Sequence, residues 1–491
     1  MTKTMRKNYI YNVSVQIVSM LTPLITAPYL ARVLGEEGVG AHSFALSIAT
    51  YFALFAALGL SSYGLREVSR VRDDRVKSSR LFWELSIIRL ANTALSCILY
   101  LLFIWLWAGD EVGTPVYLGV GFTILATGVD CTWFFQAKEN FKSLMFRNLT
   151  VKLLSMALVF LLVRDADDVA LYCAIQTGSV FISNLILWPQ LKKMVRRIPW
   201  RRLRFSRHYK EVLVYFIPTI ATSVYTVLDK TMIGTITNDM AQNGFYENAH
   251  KIINILLTIV TSLNVVVGVR TSYLFGRNKQ EEIRNHIRDT FRFMYMLTFP
   301  LCAGLVACGR GFAIEFYGSD FSEAGDMIML FAPLLFIIGT SNVLGSLYLT
   351  PSGQRGRSNR AIIAGAATNL VLNLVLIPHY GAYGAVVASV AAELVISSLY
   401  LKFSHEFISA WQLLGMAARY GAFAAIMFVP TYWLGQFLGE GLKVEAYVIL
   451  CQIALGAVIY GALLILFRDP VWLAAKDLLK KKTKQHPKED E

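Results

Sequence analysis

Charge is what this chain is short of. Only 16 % of its 491 residues are Asp, Glu, Lys or Arg, against about 25 % in a soluble domain. Hydrophobic residues make up 55 % and the mean hydropathy is +0.49, so an ordinary soluble enzyme is excluded. An aromatic content of 13 % and apolar runs along the whole chain exclude disorder. Cysteines are few: Cys97, Cys131, Cys173, Cys302, Cys308 and Cys451. All lie in apolar segments and none forms a CxxC or Cys/His cluster, so neither a disulfide framework nor a zinc site is expected. No cleavable leader is expected either. The first apolar run, from Tyr9, is long enough to span and lacks a small-residue cleavage site.

What the chain has instead is membrane-length segments. A crossing needs about 20 mostly apolar residues. Fourteen such segments can be read, at 9–33, 41–65, 81–107, 116–136, 148–163, 169–188, 212–236, 248–275, 290–313, 324–350, 361–377, 383–403, 417–437 and 445–467. Charge tests the count. With both termini cytoplasmic, 37 of the 47 Lys and Arg residues fall on the cytoplasmic side, and Arg164 and Lys443 alone fall opposite. Such a bias sets orientation, and one missed span would scatter the later basic loops. The chain thus reads as an all-α integral membrane protein.

Long outer loops are also missing. None exceeds about a dozen residues, too few for a catalytic domain, so no enzyme is expected. The longest polar loop, 189–211, carries Lys192, Lys193, Arg196, Arg197, Arg201, Arg202, Arg204 and Arg207. Anionic lipid or nucleic acid would suit these residues. They read more simply as positive-inside anchoring at anionic headgroups, as does the basic tail Lys476 to Lys484, and no nucleic-acid partner is expected.

The two halves echo each other. Gly40 precedes Arg66 by 26 residues, and Gly244 precedes Arg270 by the same interval. Gly64 and Gly268 share that offset of 204, and a weaker echo sets Gly128 and Asn148 against Gly339 and Asn359 at 211. Six spans per half is an even number, so both halves enter from one side. A parallel repeat follows, with the site expected between the halves. The expected domains are a lobe at 1–188, a basic linker at 189–211, a lobe at 212–403, two additional helices in 404–467 and a tail at 468–491.

Ionisable groups within spans cost a few kcal/mol and point to transport pathways. The richest positions are the first two spans of each half, with Arg32, Arg66, Lys230, Lys251 and Arg270 against the single acid Asp229. A cationic cavity suits an anionic substrate such as a diphosphate or a sugar acid. The alternative for each is an interhelical ion pair that fixes packing. Asp229 and Lys230 are about 100° apart on a helix and need not pair. Arg89 lies deep enough to need a partner, either Glu84 or a substrate. Asp130, a candidate for coupling or packing like Asp229, precedes Trp133-Phe134-Phe135-Gln136, which reads as an interfacial belt. Glu393 sits mid-span, where it would carry a coupling proton or pair with a polar neighbour. Pro23, Pro28 and Pro218 fall in the first spans of both halves, where bends are expected.

Several stretches resemble one family. They are Ile25-Thr26-Ala27-Pro28-Tyr29-Leu30-Ala31-Arg32-Val33-Leu34-Gly35 with Gly38-Val39-Gly40, then Tyr63-Gly64-Leu65-Arg66-Glu67, Trp133-Phe134-Phe135-Gln136, Leu228-Asp229-Lys230-Thr231-Met232-Ile233-Gly234 and Ser341-Asn342-Val343-Leu344-Gly345. In order and spacing they resemble bacterial polysaccharide-transporter (Wzx-type) flippases. That family belongs to the multidrug/oligosaccharidyl-lipid/polysaccharide exporter superfamily. The resemblance implies fourteen transmembrane helices, as two pseudo-symmetric six-helix lobes around a central cavity plus two C-terminal helices. It implies an undecaprenyl-diphosphate-linked oligosaccharide carried from the inner to the outer leaflet of the bacterial plasma membrane, for capsule, O-antigen or a related polysaccharide. It also implies that Arg32, Arg66 and Arg270, with Lys230 and Lys251, hold the diphosphate or acidic sugars. Relatives of this type often have proline before the arginine at 270, where this chain has Val269.

A drug/cation antiporter of the same fold would need acidic pathway residues, which the charge pattern opposes. A polymerase or ligase would need a large outer loop. No cofactor is expected. Proton or sodium coupling and association with polysaccharide polymerase machinery are left open, and one chain can bury enough core to stand as a monomer.

Overall fold

A computed structural model describes residues 3–107, 112–277, 279–439 and 445–473. Among them every regular element is helical: α1 (Lys3–Ala57), α2 (Leu60–Arg70), α3 (Arg75–Trp107), α4 (Thr114–Val129), α5 (Thr132–Ala137), α6 (Phe141–Leu162), α7 (Val169–Leu185) and α8 (Trp188–Met194). Then come α9 (Ser206–Thr237), α10 (Met240–Phe275), α11 (Gln280–Tyr317), α12 (Ser322–Phe331), α13 (Leu334–Val343), α14 (Arg355–Phe403), α15 (Ala410–Gly439) and α16 (Glu445–Leu466). Nine helical stretches among the described residues are long and apolar enough to cross a membrane, and ten if the bent pair Ser319–Phe331 and Leu334–Leu349 is one broken span. The chain is a multi-pass membrane protein.

Two of these helices are too long for one crossing. At 1.5 Å per residue, the 55 residues of α1 would reach about 80 Å, whereas the hydrocarbon core is about 30 Å thick. Both α1 and the 49-residue α14 are broken at a glycine, Gly35 (φ 68°, ψ −179°) and Gly381 (φ 55°, ψ −136°). Sequence reasoning put the bend of the first span at Pro23 and Pro28. Both prolines lie within α1, but its non-helical backbone is at Gly35. A proline removes one hydrogen bond and kinks a helix. The backbone at residue 35 needs a positive φ, which glycine adopts at little steric cost. The side chain of Pro218 lies outside the described residues.

By packing, the chain forms two compact units, Met1–Glu247 with Asn373–Ala382, and Asn248–Leu372 with Tyr383–Glu491. In the first, Trp133, Phe134 and Phe135 are buried around Phe82. They are core residues, not an interfacial belt. The reason is α5, a helix of only one and a half turns, which tucks these rings inward after the break at Asp130. A Cβ on Gly64 would lie 2.6 Å from the Trp133 ring, so that repeated glycine makes room for the indole. Each fully buried phenylalanine contributes about 1.5–3 kcal/mol.

Arg89 is paired with neither Glu84 nor solvent. It donates to the Asp130 carboxylate (3.0 Å), the Asp130 carbonyl (2.7 Å) and Ser61 Oγ (2.7 Å). Glu84 instead anchors the basic linker to α3. Its buried carboxylate accepts from Arg80 Nε (3.0 Å), Arg207 Nη2 (2.5 Å), the Arg204 backbone N–H (2.6 Å) and His208 Nε2 (2.9 Å). Trp83 Nε1–H donates to the Arg196 carbonyl, and the Arg196 N–H donates to Ser79 Oγ. Four residues of this segment are therefore bonded into the protein rather than held only by headgroups.

The linker dock has a pH signature. His208 lies before the expected span, and loss of solvent holds its imidazole below the ordinary value, opposed by the Glu84 carboxylate and aided by Arg207. The folded chain then binds fewer protons than the unfolded chain just below pH 6.5 or so. Stability should rise with pH across that window and be lost as pH falls through it. Thermal unfolding should show a drop in Tm between about pH 7.5 and 5.5 that shrinks in His208→Gln. Glu84→Gln, which keeps the shape and removes the charge, should cost about 1–3 kcal/mol and expose the linker to trypsin.

The second unit has its core where α11, α15 and α16 meet, around Phe291, Tyr295, Tyr420, Phe423 and Tyr460. Here the weaker echo acquires a physical meaning. A Cβ on Gly339 would come within 2.5 Å of Met294 of α11, as one on Gly128 would come within 2.7 Å of Thr93 of α3. The matched glycines each let one helix approach the preceding membrane helix of its own unit.

Candidate functional site

Within the first unit, the segment of α1 beyond Gly35 meets the start of α10. The backbones touch, because glycine stands at both crossing points. A Cβ on Gly40 would lie 1.7 Å from the Met240 carbonyl oxygen, and one on Gly244 would lie 2.1 Å from the Glu36 carbonyl oxygen. Residues 36 and 40 are the counterparts of 240 and 244 at the repeat offset of 204. The contact is therefore self-complementary, as at a two-fold interface, where residue i touches j′ and j touches i′. On the same relation Ser43 corresponds to Glu247, and Ser43 Oγ donates to Glu247 Oε2 at 3.0 Å. The turns feeding the two segments both use a residue of positive φ, Gly35 (φ 68°, ψ −179°) and Asn238 (φ 52°, ψ 27°). The second is the left-handed helical conformation, where asparagine is the usual second choice to glycine.

A polar cluster surrounds this contact. Lys230 forms an ion pair with Glu247, the two side chains being 20 % and 15 % exposed. Asp229, only 4 % exposed, accepts from Tyr246 OH (2.5 Å) and from Asn373 Nδ2 (2.6 Å). Asn243 Nδ2 donates to the Lys230 carbonyl (2.9 Å), and Gln242 Oε1 accepts the backbone N–H of Ala382 (2.8 Å) beside the break at Gly381. Ser47 and Thr231 share a hydrogen bond at 2.8 Å, and Thr231 also bonds Tyr51 (3.2 Å). Charged groups so placed in an apolar setting persist only because each is paired and hydrogen-bonded.

The sequence-predicted residues are distributed as follows. Asp229 and Lys230 enter this cluster with different partners, as their angular separation allows. Lys251, further along α10, donates to Asn248 Oδ1 at 3.4 Å. Arg32 is exposed on α1. Arg66 is half-exposed on α2, its Nε 4.0 Å from Glu67. Asp130 is bonded to Arg89 at the end of α4, which gives it a packing role. Glu393 is half-buried on α14. The backbone of Arg270 belongs to α10, and its side chain, with that of Val269, lies outside the described residues.

Sequence reading missed Glu247, Tyr246 and Asn373. The offset of 204 that matched Gly40 with Gly244 also matches Ser43 with Glu247, so that signal was present for one of the three. Nor does the sequence single out Arg147, which falls between the expected spans 116–136 and 148–163. Arg147 is buried and donates to Asn148 Oδ1 (2.6 Å) and Asn184 Oδ1 (3.1 Å). Among the described residues no group of three or more His, Cys, Asp and Glu converges to hold a metal.

Comparison with known proteins agrees with this architecture. The chain is 22 % identical over 421 residues to a candidate O-antigen transporter of Escherichia coli strain K12, covering 82 % of this chain and 96 % of that protein. It is 24 % identical over 408 residues to a candidate O-antigen transporter of Shigella dysenteriae, covering 81 % and 99 %. The fold is similar to that of the lipid II flippase MurJ in an inward closed conformation, with a TM-score of 0.70 at 15 % identity over 94 % of this chain and all of that one. The model of the family described as polysaccharide biosynthesis protein matches residues 5–268. That match covers more than half of the sequence, and the chain therefore belongs to the polysaccharide biosynthesis protein family.

Proposed function

We propose that this protein is a flippase that moves an undecaprenyl-diphosphate-linked oligosaccharide from the inner to the outer leaflet of the bacterial inner membrane by alternating access. The reading is carried by one observation. A member of the polysaccharide biosynthesis protein family keeps Arg32, Arg66, Lys230, Lys251 and Arg270 in or beside the first two apolar segments of its two sequence halves, and an anionic headgroup suits that basic set. The relatives named O-antigen transporters support it. In this account the polar headgroup crosses a wet, positively lined passage while the polyprenyl tail stays in lipid, and no covalent chemistry is involved.

Arg32, Arg66, Arg270 and Lys251 are assigned to the headgroup. Lys230 is assigned first to its pair with Glu247 and is released to the substrate only if that pair opens. Fourteen crossings follow if α1 and α14 each count twice, the bent pair counts once, and α9 and α10 count with the nine. Both termini then face the cytoplasm, from the split of 37 basic residues against two. Glu393 is our candidate for proton coupling, and the polymerase machinery that consumes the product is the candidate partner. A single chain suffices as the functional unit.

The test is reconstitution with a fluorescent lipid-linked oligosaccharide and a leaflet-reversal assay. Arg32→Ala and Arg270→Ala should each slow transport about tenfold, the loss of one charge-assisted contact worth about 1.4 kcal/mol, with no change in the yield of folded protein. Full activity in both variants removes the cationic passage. Transport of cationic dyes at the rate of the oligosaccharide would favour the antiporter.

A further inference from the structure

The second unit holds a basic cavity that the transport reading does not use. It has a volume of about 380 Å³ and lies where α11 and α15 meet the chain after α16. Arg288 and Arg292 of α11 line it, together with Arg419 and Tyr420 of α15. The first two are one helical turn apart on one face.

The three guanidinium groups are not equally committed. Arg419 lies 3.4 Å from the carboxylate of Asp469, which is fully buried and also accepts from Tyr420 OH (3.0 Å) and the Val471 N–H (2.9 Å). That network fixes the cavity wall. Arg292 pairs with Asp289 at 3.1 Å, but Asp289 is mostly exposed, so its attraction is screened and weak. Among the described residues, Arg288 meets the amide oxygen of Gln412 alone, at 3.5 Å, the outer limit of a hydrogen bond. The cavity therefore has a cationic surplus at Arg288 and Arg292, and two forks shaped for a phosphate.

The surroundings identify the kind of phosphate. On α15, Trp411 is 82 % exposed and Leu414 57 % exposed. Residues 411, 415 and 419 fall on one stripe of α15, which places Trp411 one helical turn from the lining residue Gly415. An exposed tryptophan at the end of an apolar helix belongs at the membrane interface. A free phosphate gains nothing from such an edge, whereas a lipid places its headgroup on the arginines and its chains along the apolar side. Basic pockets between membrane helices hold anionic headgroups in this way.

We infer that this cavity binds the phosphodiester of an anionic membrane phospholipid, one lipid per chain, as a structural site separate from the transported substrate. The inference goes beyond the flippase reading and stands without it.

The experiment is thermal unfolding of the full-length protein in detergent, titrated with phosphatidylglycerol, phosphatidylcholine or inorganic phosphate. Phosphatidylglycerol should raise Tm, and the other two should not at equal concentration. Arg288→Gln/Arg292→Gln should weaken the apparent affinity for phosphatidylglycerol about tenfold, equivalent to about 1.4 kcal/mol. Arg201→Gln/Arg202→Gln in the linker should leave it unchanged. An equal shift with inorganic phosphate overturns the lipid assignment. An equal shift with phosphatidylcholine overturns the role of charge. An unchanged affinity in the α11 variant overturns the site. If the double variant loses its cooperative transition, Arg288→Gln alone, which breaks no carboxylate pair, carries the same comparison.

Discussion

Gly40→Ala should destabilise the protein by about 1–3 kcal/mol, the usual cost of overpacking a close contact. The sign is the informative part. Glycine to alanine in an exposed helix gains up to about 1 kcal/mol, because the unfolded chain loses freedom. At Gly40 the new methyl meets the Met240 carbonyl, a backbone atom that cannot swing aside. Gly244→Ala meets the Glu36 carbonyl in the same way and should behave alike. The double variant should cost less than the sum, since whichever methyl enters first opens the crossing for the second, and contacting sites couple by about 0.5–3 kcal/mol. Gly178, with no atom near its would-be Cβ, is the control and should tolerate alanine. Thermal unfolding of the four proteins measures the cycle. Strictly additive losses would mean that the two glycines do not share one contact.

The same variants bear on transport. Ser43 Oγ bonds Glu247 across the crossing, so a methyl that parts α1 from α10 also strains that hydrogen bond beside the Lys230 ion pair. If alternating access requires this contact to form and open, Gly40→Ala should slow leaflet reversal by more than its loss of folded protein explains.

Much of this arrangement was legible in the sequence because it is written in periodicity. Apolar runs of membrane length became helices, and the offset of 204 became a physical contact at Gly40 and Gly244. The repeat was readable because a backbone crossing tolerates no side chain, so glycine had to stand at both matched positions. Partner choice was not legible. Glu84 is nearer to Arg89 in sequence than Asp130 is, but the packing of α4 on α3 brings Asp130, at the end of α4, across to it, and Glu84 is taken by a linker more than a hundred residues away. The aromatic stretch after Asp130 misled for a related reason. A short helix at the end of a span can face inward or outward with the same composition, and only the packing of Phe82 and Gly64 decides. The break in α1 was placed at proline because proline is the louder signal, although the conformation needed there is one that glycine supplies.

Asp229 offers the second large effect and separates structure from coupling. Its carboxylate is buried and takes hydrogen bonds from Tyr246 and Asn373. Asp229→Leu leaves both donors without that acceptor. At about 1–3 kcal/mol for each unsatisfied buried group, the loss should be about 2–6 kcal/mol, enough to remove most of the folded protein from a membrane extract. Asp229→Asn keeps the volume and one acceptor oxygen, turns an N–H toward one donor, and should cost about 1–2 kcal/mol. A carboxylate that only holds α9 to its neighbours can be replaced by the amide with transport nearly intact per folded molecule. A carboxylate that takes up a coupling proton cannot, because the amide has no acidic proton to exchange. Because the carboxylate is held by two donors, Tyr246 and Asn373, and so fixes packing here, the expected result is that Asp229→Asn transports at close to the wild-type rate. A variant that folds but is inert would move the coupling role from Glu393 to Asp229.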